Sequence, residues 1–302
     1  MQLIDSRKIW DKAPHNAFTD LIRFRDRWFC VFREGAAHVS SDGAVRVLVS
    51  SDGLTWSSQA LLGSPLGDVR DPKLSVTCQG GLMIHAGIAL HTPVEGRTHQ
   101  SVMWLSSGEE KWADPVNVLA PGAWLWRVTW HNGAVYGVGY VRKPKEGVCL
   151  YRSEDGHRFE RWVDPFFTDG YPNEAALSFG VDDSCLCLLR RESGTQTAML
   201  GIAASPYVDW SWQDLGVRIG GPAMILLDDR RALAGVRLYD VERTALCWLD
   251  PKTGTLVEAL TLPSGGDTSY PGLVWHSGML WVSYYSSHEG KTAIYVARVA
   301  DV

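Results

Sequence analysis

Charged, amide, imidazole and phenolic side chains recur at two kinds of position along this sequence of 302 residues. At the beginnings of apolar runs they are His15, Asn16, Asp20, Arg70, Asp71, Arg127, Asn173, Glu174 and Tyr270. Where the next apolar runs end they are Arg33, Glu34, His38, His85, Tyr140, Arg190, Arg191, Arg237, Tyr284 and Tyr285. Converging arginines suit a carboxylate or sulfate, because a planar guanidinium binds two oxygens at once. Nearby carboxylic acids suit proton transfer to a glycosidic oxygen.

The apolar runs that carry these side chains form an internal repeat. The first run of each repeat starts near residues 16, 69, 125, 172, 221 and 269, so successive starts are 47 to 56 residues apart. A short turn and a second run follow, as at His131-Asn132-Gly133 and at residues 228–230. Such turns supply the positive φ angles that tight hairpins need. Helical periodicity is nearly absent, and the spacing is typical of one four-stranded propeller blade. The sequence therefore predicts one all-β domain over residues 1–302, a six-bladed β-propeller of four-stranded antiparallel blades.

The two ends of the chain fit together in this prediction. The last repeat ends with the run Ile294–Val299 and lacks an outer strand, which Gln2–Trp10 could supply. An N-terminal strand that closes the last blade would remove a free sheet edge. In a propeller, innermost strands begin and second strands end at one face near the axis, where loops from all blades meet. We therefore expect the polar side chains named above to line one cavity.

Two hairpins share the pattern Ser-x-Asp-Gly-x-x-aromatic, at residues 50–56 and 153–159, and a degenerate version covers residues 106–112. The aspartate can accept backbone N–H bonds inside the turn, and the glycine can adopt a positive φ. We expect Asp52 and Asp155 to stabilise their turns and to take no part in catalysis.

Composition excludes several classes of function. The net charge is −5 and no basic cluster exists, so neither a nucleic acid nor an anionic membrane is an expected partner.

The N-terminus shows no signal-peptide features, and the six dispersed cysteines are interpreted as free thiols, so we expect a cytoplasmic protein unless a leader has been removed. Cysteine spacing disfavours zinc, and no close Asp/His ligand cluster is visible in the sequence. We expect no metal and no cofactor.

These features together resemble those of the sialidase superfamily. The segment that starts at Ser269 is similar to the sialidase strand bearing the nucleophilic tyrosine, and Asn173-Glu174 followed by Arg190 is similar to the family's glutamate and arginine. The hairpin pattern resembles the sialidase Asp-box. The resemblance implies Tyr270 as nucleophile, Glu174 as its base, and Arg190 with Arg237 as the clamp for a substrate carboxylate. A phenol attacks an anionic sugar without the charge repulsion that a carboxylate would meet.

The first repeat departs from the family pattern. Sialidases open it with Arg-Ile-Pro, whereas this chain has His15-Asn16-Ala17-Phe18. Arg33, Arg70 or Arg127 could replace the missing arginine, with His38 and Asn173 as further substrate-binding residues. For the proton donor we retain Asp71 and Glu34, with Asp42 as a further option.

Three functions remain open from the sequence. The first is an exo-acting glycoside hydrolase that removes a terminal acidic sugar from a small or oligosaccharide substrate, with a hydrolase of a different sugar that uses His and acid residues as a variant of it. The second is a polysaccharide lyase on uronic acids, in which His15, His38 or His85 acts with Tyr140 or Tyr284 to remove a proton. The third is a propeller that binds a carbohydrate or a protein without catalysis, since a fold does not determine a function.

Overall fold

The computed structural model describes residues 1–106, 111–141, 147–227 and 231–302. These segments form 24 strands in six four-stranded sheets. The innermost strands are β2 (His15–Phe24), β6 (Gly67–Val76), β10 (Ala123–His131), β14 (Pro172–Phe179), β18 (Ile219–Leu226) and β22 (Thr268–His276). The second strands are β3 (Arg27–Gly35), β7 (Leu82–Val94), β11 (Ala134–Val141), β15 (Ser184–Arg191), β19 (Ala232–Leu238) and β23 (Met279–Ser286).

Third and outer strands complete the blades. The third strands are β4 (Ala44–Ser50), β8 (Arg97–Leu105), β12 (Val148–Ser153), β16 (Met199–Ala204), β20 (Arg243–Asp250) and β24 (Ala293–Ala300). The outer strands are β5 (Ser57–Leu62), β9 (Val116–Val118), β13 (Glu160–Phe167), β17 (Ser211–Asp214), β21 (Thr255–Thr261) and β1 (Gln2–Trp10). The predicted propeller is confirmed, and each innermost strand starts within two residues of its predicted position. We number the blades one to six by the order of their innermost strands.

The first and last strands close the ring. β1 pairs antiparallel with β24, with Gln2 opposite Ala300 and Lys8 opposite Tyr295. Arg298 also donates a 2.7 Å bond to the carboxylate of Asp5 across this pair. The N-terminal strand is therefore the outer strand of blade six, as the sequence predicts, and β24 has no free edge.

Apolar side chains fill the spaces between neighbouring blades. The indoles of Trp28 in blade one and Trp281 in blade six pack with ring centroids 4.5 Å apart. Between blades two and three, a Cβ placed on Gly87 would lie 2.3 Å from the indole of Trp124, so only glycine lets that ring pack there. Aromatic and β-branched residues suit such surfaces because they cover much area with little loss of rotamer freedom.

The two hairpins with the shared pattern have the same hydrogen bonds. Asp52 Oδ1 accepts the backbone N–H groups of Leu54 and Thr55 at 2.8 Å, and Asp155 Oδ1 accepts those of residues 157 and 158 at 2.7 and 2.8 Å. The serine two residues earlier bonds each carboxylate at 2.9 Å. Both acids therefore hold their own turns. The degenerate version and the turn at 228–230 include residues outside the described segments.

All six cysteines lie in described segments and are free, with only Cys78 exposed. Across the described part of the chain there is no helix with the length and apolar character of a membrane span.

Candidate active site

The six innermost strands share an irregularity that positions the site. Each breaks its pairing with the second strand for two residues near the same end of the blade. The first residues of these breaks are Phe18, Asp71, Trp126, Asn173, Gly221 and Tyr270. Phe18, Asp71, Gly221 and Tyr270 have φ angles of 63°, 53°, 56° and 52°. Such bulges redirect side chains out of the sheet pattern, and they are frequent beside active sites.

A polar cavity of about 580 Å³ lies where these breaks meet. Its lining residues are Phe18, His38, Arg70, Asp71, Thr98, His99, Trp124, Tyr140, Tyr171, Asn173, Glu174, Arg190, Glu192 and Tyr270. Seven of the predicted site residues are therefore brought together: His38, Arg70, Asp71, Asn173, Glu174, Arg190 and Tyr270. The volume is typical of pockets for small ligands, which measure roughly 300–1,000 Å³.

Tyr270, Glu174 and Arg190 form one hydrogen-bonded unit. The phenol of Tyr270 donates to Glu174 Oε1 at 2.6 Å, and Arg190 Nη1 lies 2.7 Å from Glu174 Oε2 and 3.3 Å from the phenol oxygen. The backbone N–H of Gly221 donates to Glu174 Oε2 at 2.7 Å. A Cβ on Gly221 would lie 2.8 Å from the Tyr270 ring, so glycine is required at this positive φ. The unit joins blades four, five and six.

The electrostatics of this unit separate its proton donor from its acceptor. Burial raises the pKa of Glu174, but the Arg190 charge and the Tyr270 hydrogen bond outweigh burial and bring it below its ordinary value. Burial and the adjacent Glu174 carboxylate raise the pKa of Tyr270 well above its ordinary value. At neutral pH the phenol therefore carries the proton and the glutamate is ionised and ready to accept it.

Asp71 is a second carboxylic acid in the cavity, and its pKa is shifted in the opposite direction to that of Glu174. It is buried, and its carboxyl group makes no hydrogen bond to any residue of the described segments. Burial raises its pKa, and the positive charges of Arg70 and Lys73 only partly offset that effect. A carboxyl group with a raised pKa beside a ligand cavity is suited to donate a proton.

The structure does not bring Glu34 or Arg33 to the cavity. Glu34 is not among the cavity-lining residues; it accepts the Trp10 indole N–H and lies 2.8 Å from Arg46 Nη2. Arg33 is fully buried, with Nε 2.7 Å from Asp68 Oδ1 and Nη1 bonded to Ala37 O at 2.9 Å. Both predictions were wrong because successive side chains of a strand point to opposite faces of the sheet, and because each of these two has buried or nearby partners of opposite charge. Glu34 links β3 to β4 and to the N-terminal strand β1, and Arg33 holds the loop that follows β3.

Arg127 and Arg237 also lie outside the cavity lining. Arg127 Nη1 reaches both carboxylate oxygens of Asp20, at 3.0 and 3.1 Å, so it ties blade three to blade one. Arg237 lies behind the nucleophile candidate, with its guanidinium carbon 5.6 Å from the centroid of the Tyr270 ring. It donates to Thr268 O at 2.8 Å and to the Tyr285 hydroxyl at 2.9 Å. Both guanidinium groups therefore link different blades.

Of the groups considered for a lyase, only His38 and Tyr140 line the cavity. His85 bonds Trp126 O at 2.9 Å, and burial lowers its pKa to about 3. Tyr284 bonds Ser6 Oγ at 2.7 Å, in blade six away from the cavity. Asp42, the further option for proton donor, accepts the backbone N–H of Ala36 at 3.1 Å.

The expectation that no close Asp/His ligand cluster exists is wrong. His15 Nε2 lies 2.9 Å and His38 Nδ1 lies 2.8 Å from the same oxygen, Asp267 Oδ2. One ligand atom from each residue falls within 4.8 Å of the other two. The cluster could not be recognised from the sequence, because Asp267 comes next to His15 and His38, more than 200 residues earlier in the chain, only when the ring of blades closes.

Sequence analysis did not identify several further groups that line the cavity or contact one of its arginines, Arg190. Glu192 forms a second ion pair with Arg190, and the Tyr239 hydroxyl accepts from Arg190 Nη2 at 3.0 Å. Both follow the ends of second strands by one residue, so a search extended by one residue past each strand would have found them. Trp124 and His99, with ring centroids 5.0 Å apart, form another wall.

Comparison with known proteins gives a fold but no sequence family. No protein-family model and no curated protein matches this sequence. A protein of unknown function from Dyadobacter fermentans has a TM-score of 0.86 and 18% identity, covering 98% of both chains. An α-L-arabinanase from Penicillium chrysogenum, complexed with arabinobiose, has a TM-score of 0.75 and 12% identity over 98% of both chains.

A Trypanosoma rangeli sialidase, a mutant that displays trans-sialidase activity, has a TM-score of 0.74 and 12% identity. It covers 94% of this chain, which spans 54% of the sialidase chain. At these identities the likeness concerns architecture. The chain thus has a six-bladed β-propeller fold that resembles the folds of this arabinanase and this sialidase.

Proposed function

We propose that this protein is an exo-acting glycoside hydrolase that uses Tyr270 and Glu174 as its nucleophile pair. The observation that carries the proposal is the 2.6 Å hydrogen bond from the Tyr270 phenol to Glu174 Oε1 at the cavity wall. A nucleophile within hydrogen-bonding distance of an ionised base, itself held by a third group, is the common arrangement for covalent catalysis. Arg190 is that third group.

The reaction would proceed in two steps. In the first, the bond between Tyr270 Oη and the anomeric carbon forms as the glycosidic C–O bond breaks. The phenol proton passes to Glu174, and Asp71 gives its proton to the leaving oxygen. In the second step, Asp71 takes a proton from water, the water oxygen bonds to the anomeric carbon, and Glu174 returns its proton to the departing phenolate. The anomeric configuration is retained because the carbon is inverted twice.

For the substrate we propose a terminal sugar that bears a carboxylate. Arg70 and Arg190 both line the cavity and present guanidinium groups to it. The hydrogen bonds of Arg70 to described residues both use Nη1, one to His38 O at 2.8 Å and one to Asp68 Oδ2 at 3.0 Å. Its Nη2 therefore remains for a ligand oxygen, and a guanidinium is the preferred partner of a carboxylate.

A neutral sugar is the second candidate, and a separate observation favours it. Arg190 already lies between Glu174 and Glu192, and Arg237 is bonded to Thr268 and Tyr285. Arginines whose charge and donors are so engaged offer less to a substrate carboxylate. The arabinanase, which is complexed with arabinobiose and matches along its whole length, is consistent with this alternative.

The test is hydrolysis of a panel of fluorogenic glycosides by the wild-type protein and by Tyr270→Phe. The panel contains an α-sialoside, a β-glucuronide and an α-L-arabinofuranoside. We expect turnover of an acidic glycoside by the wild type and its loss in Tyr270→Phe. Tyr295→Phe is the matched control, because Tyr295 also donates to a glutamate, Glu289, at 3.0 Å but lies outside the cavity.

Each alternative has its own result in this assay. Full activity of Tyr270→Phe would exclude the tyrosine as nucleophile. An unsaturated sugar product, identified by mass spectrometry as one water lighter than the hydrolysed sugar, would indicate elimination and a lyase. Measurable affinity for a sugar acid without turnover of any glycoside would indicate a binding propeller.

A further inference from the structure

We propose that His15, His38 and Asp267 form a binding site for a divalent transition-metal ion at the edge of the cavity. The three residues come from separate parts of the closed ring. His15 starts β2, His38 follows β3, and Asp267 immediately precedes β22. The site does not depend on the glycosidase proposal, because its evidence is the arrangement of the three ligand atoms.

The distances between these atoms fit a common ion. Asp267 Oδ2 is 2.9 Å from His15 Nε2 and 2.8 Å from His38 Nδ1. Ligands about 2.1 Å from a metal are separated by roughly 3 Å at the right angles of an octahedral site and by roughly 3.4 Å in a tetrahedral site. All three ligand atoms lie within 4.8 Å of one another. A single ion can therefore lie between these three ligand atoms when His15 Nε2 and His38 Nδ1 are unprotonated and each neutral ring carries its proton on the other nitrogen.

The surroundings hold the carboxylate as an outer coordination shell would. Asp267 Oδ1 accepts from the Tyr285 hydroxyl at 2.7 Å, and Arg237 Nη2 lies 3.4 Å from it. These partners fix the plane of the carboxyl group and leave Oδ2 for the ion. Hydrogen bonds to the second oxygen of a ligating carboxylate are a regular feature of metal sites.

The ligand types select the class of metal. Two imidazoles and one carboxylate suit zinc, iron(II) and related ions, whereas calcium and magnesium prefer oxygen ligands alone. The ligand set carries one negative charge, and Arg237 lies nearby. We therefore expect an ion that a strong chelator removes, unlike the ion of a thiolate site.

The proposed site adjoins the ligand cavity through His38. The His38 side chain is about half exposed and lines that cavity beside Arg70, whose Nη1 donates to His38 O. A metal ion with three protein ligands keeps positions for water or for a ligand oxygen. The proposed ion would therefore bind an oxygen group of whatever molecule fills the cavity.

Metal titration of the full chain tests the proposal without any substrate. The protein is stripped with a chelator, dialysed, and titrated with Zn²⁺ by calorimetry and with Co²⁺ by visible absorption. We expect one ion per chain and a Co²⁺ spectrum typical of nitrogen and oxygen ligands. His38→Ala and Asp267→Asn should lose both signals while their circular dichroism is unchanged.

The matched control is His131→Ala. His131 Nε2 lies 2.6 Å from Asp183 Oδ1, in a pair outside the proposed site. We expect this variant to bind the ion as the wild type does. Failure of the wild-type protein to bind either ion, or equal binding by His38→Ala and the wild type, would overturn the proposal and leave the three residues as a hydrogen-bonded group only.

Discussion

The Tyr270 phenol in blade six lies 2.6 Å from the Glu174 carboxylate in blade four, with the backbone N–H of Gly221 in blade five bonded to that same carboxylate. Three consecutive blades thus meet at one hydrogen-bonded pair. Each contributes the break in its innermost strand, and the breaks are equivalent in register. The repeat that builds the propeller also builds the site.

Replacing Asp71 with Asn should slow hydrolysis in proportion to how poor the leaving group is. Asp71 is proposed to protonate the leaving oxygen, and a phenol of low pKa needs little protonation. We expect a loss of about 10²–10⁴-fold in kcat/KM for alkyl glycosides, the usual contribution of a general acid. Aryl glycosides with acidic leaving groups should lose far less. Equal losses for all leaving groups would remove Asp71 from this role.

The same substitution should stabilise the fold at neutral pH. Burial raises the pKa of Asp71 above its unfolded value, so the folded state binds the proton more tightly than the unfolded state does. The native carboxyl group therefore favours the fold at low pH, and this contribution is lost as pH rises through its folded-state pKa. Thermal unfolding should give a higher Tm for Asp71→Asn than for the wild type at pH 7, and the gap should close below pH 4.

Asp214→Asn should change the Tm at pH 7 in the opposite direction to Asp71→Asn. Burial raises the pKa of Asp214, but hydrogen bonds from Gly216 and Thr197 and the Arg191 ion pair outweigh burial and lower it. Its carboxylate contributes stability above its unfolded pKa, and that stability is lost as pH falls. This variant should melt below the wild type at pH 7. If both variants shifted Tm in the same direction, the assigned pKa directions would be wrong.

Replacing Glu174 with Gln should destabilise the protein strongly. The Arg190 guanidinium, whose side chain is 12% exposed, would lose its 2.7 Å partner and be left with Glu192. Removing one member of a buried ion pair costs about 3–5 kcal/mol. Urea denaturation should show that the free energy of unfolding falls by an amount near the lower end of this range, because Glu192 remains paired with Arg190.

A surface pair gives the matched control for this measurement. Glu258 Oε2 lies 2.6 Å from Arg243 Nη2, but the Glu258 side chain is 30% exposed. Water screens such pairs, so Glu258→Gln should cost no more than about 1 kcal/mol. Similar losses for the two variants would mean that the Glu174–Arg190 pair is far better solvated than its burial indicates.

Sequence alone predicts the architecture well because each repeat carries its own strands and turns. The innermost strands, the closing pair of Gln2–Trp10 with the last blade, and the convergence of Tyr270, Glu174 and Arg190 all follow from position within a repeat. The sialidase resemblance adds the roles of those residues, which stay predictions.

The other features of the site could not be predicted, because they depend on the hydrogen-bond partners that each side chain finds in the folded protein. Arg33 and Arg127 occupy the expected ends of strands, yet Asp68 and Asp20 hold their guanidinium groups inside the structure. Asp267 lies one residue before its strand, and only ring closure brings it to His15 and His38. Which donor finds which acceptor between blades is a tertiary property, and no spacing in the sequence encodes it.

The central claim is most directly tested by trapping the glycosyl intermediate. The protein is incubated with a fluorinated, activated form of the sugar that it hydrolyses, digested, and mapped by mass spectrometry. We predict that one sugar is attached to the peptide that contains Tyr270 and that Tyr270→Phe takes up none. A label on Glu174 or Asp71, or an inverted product formed without any covalent intermediate, would contradict the proposed mechanism.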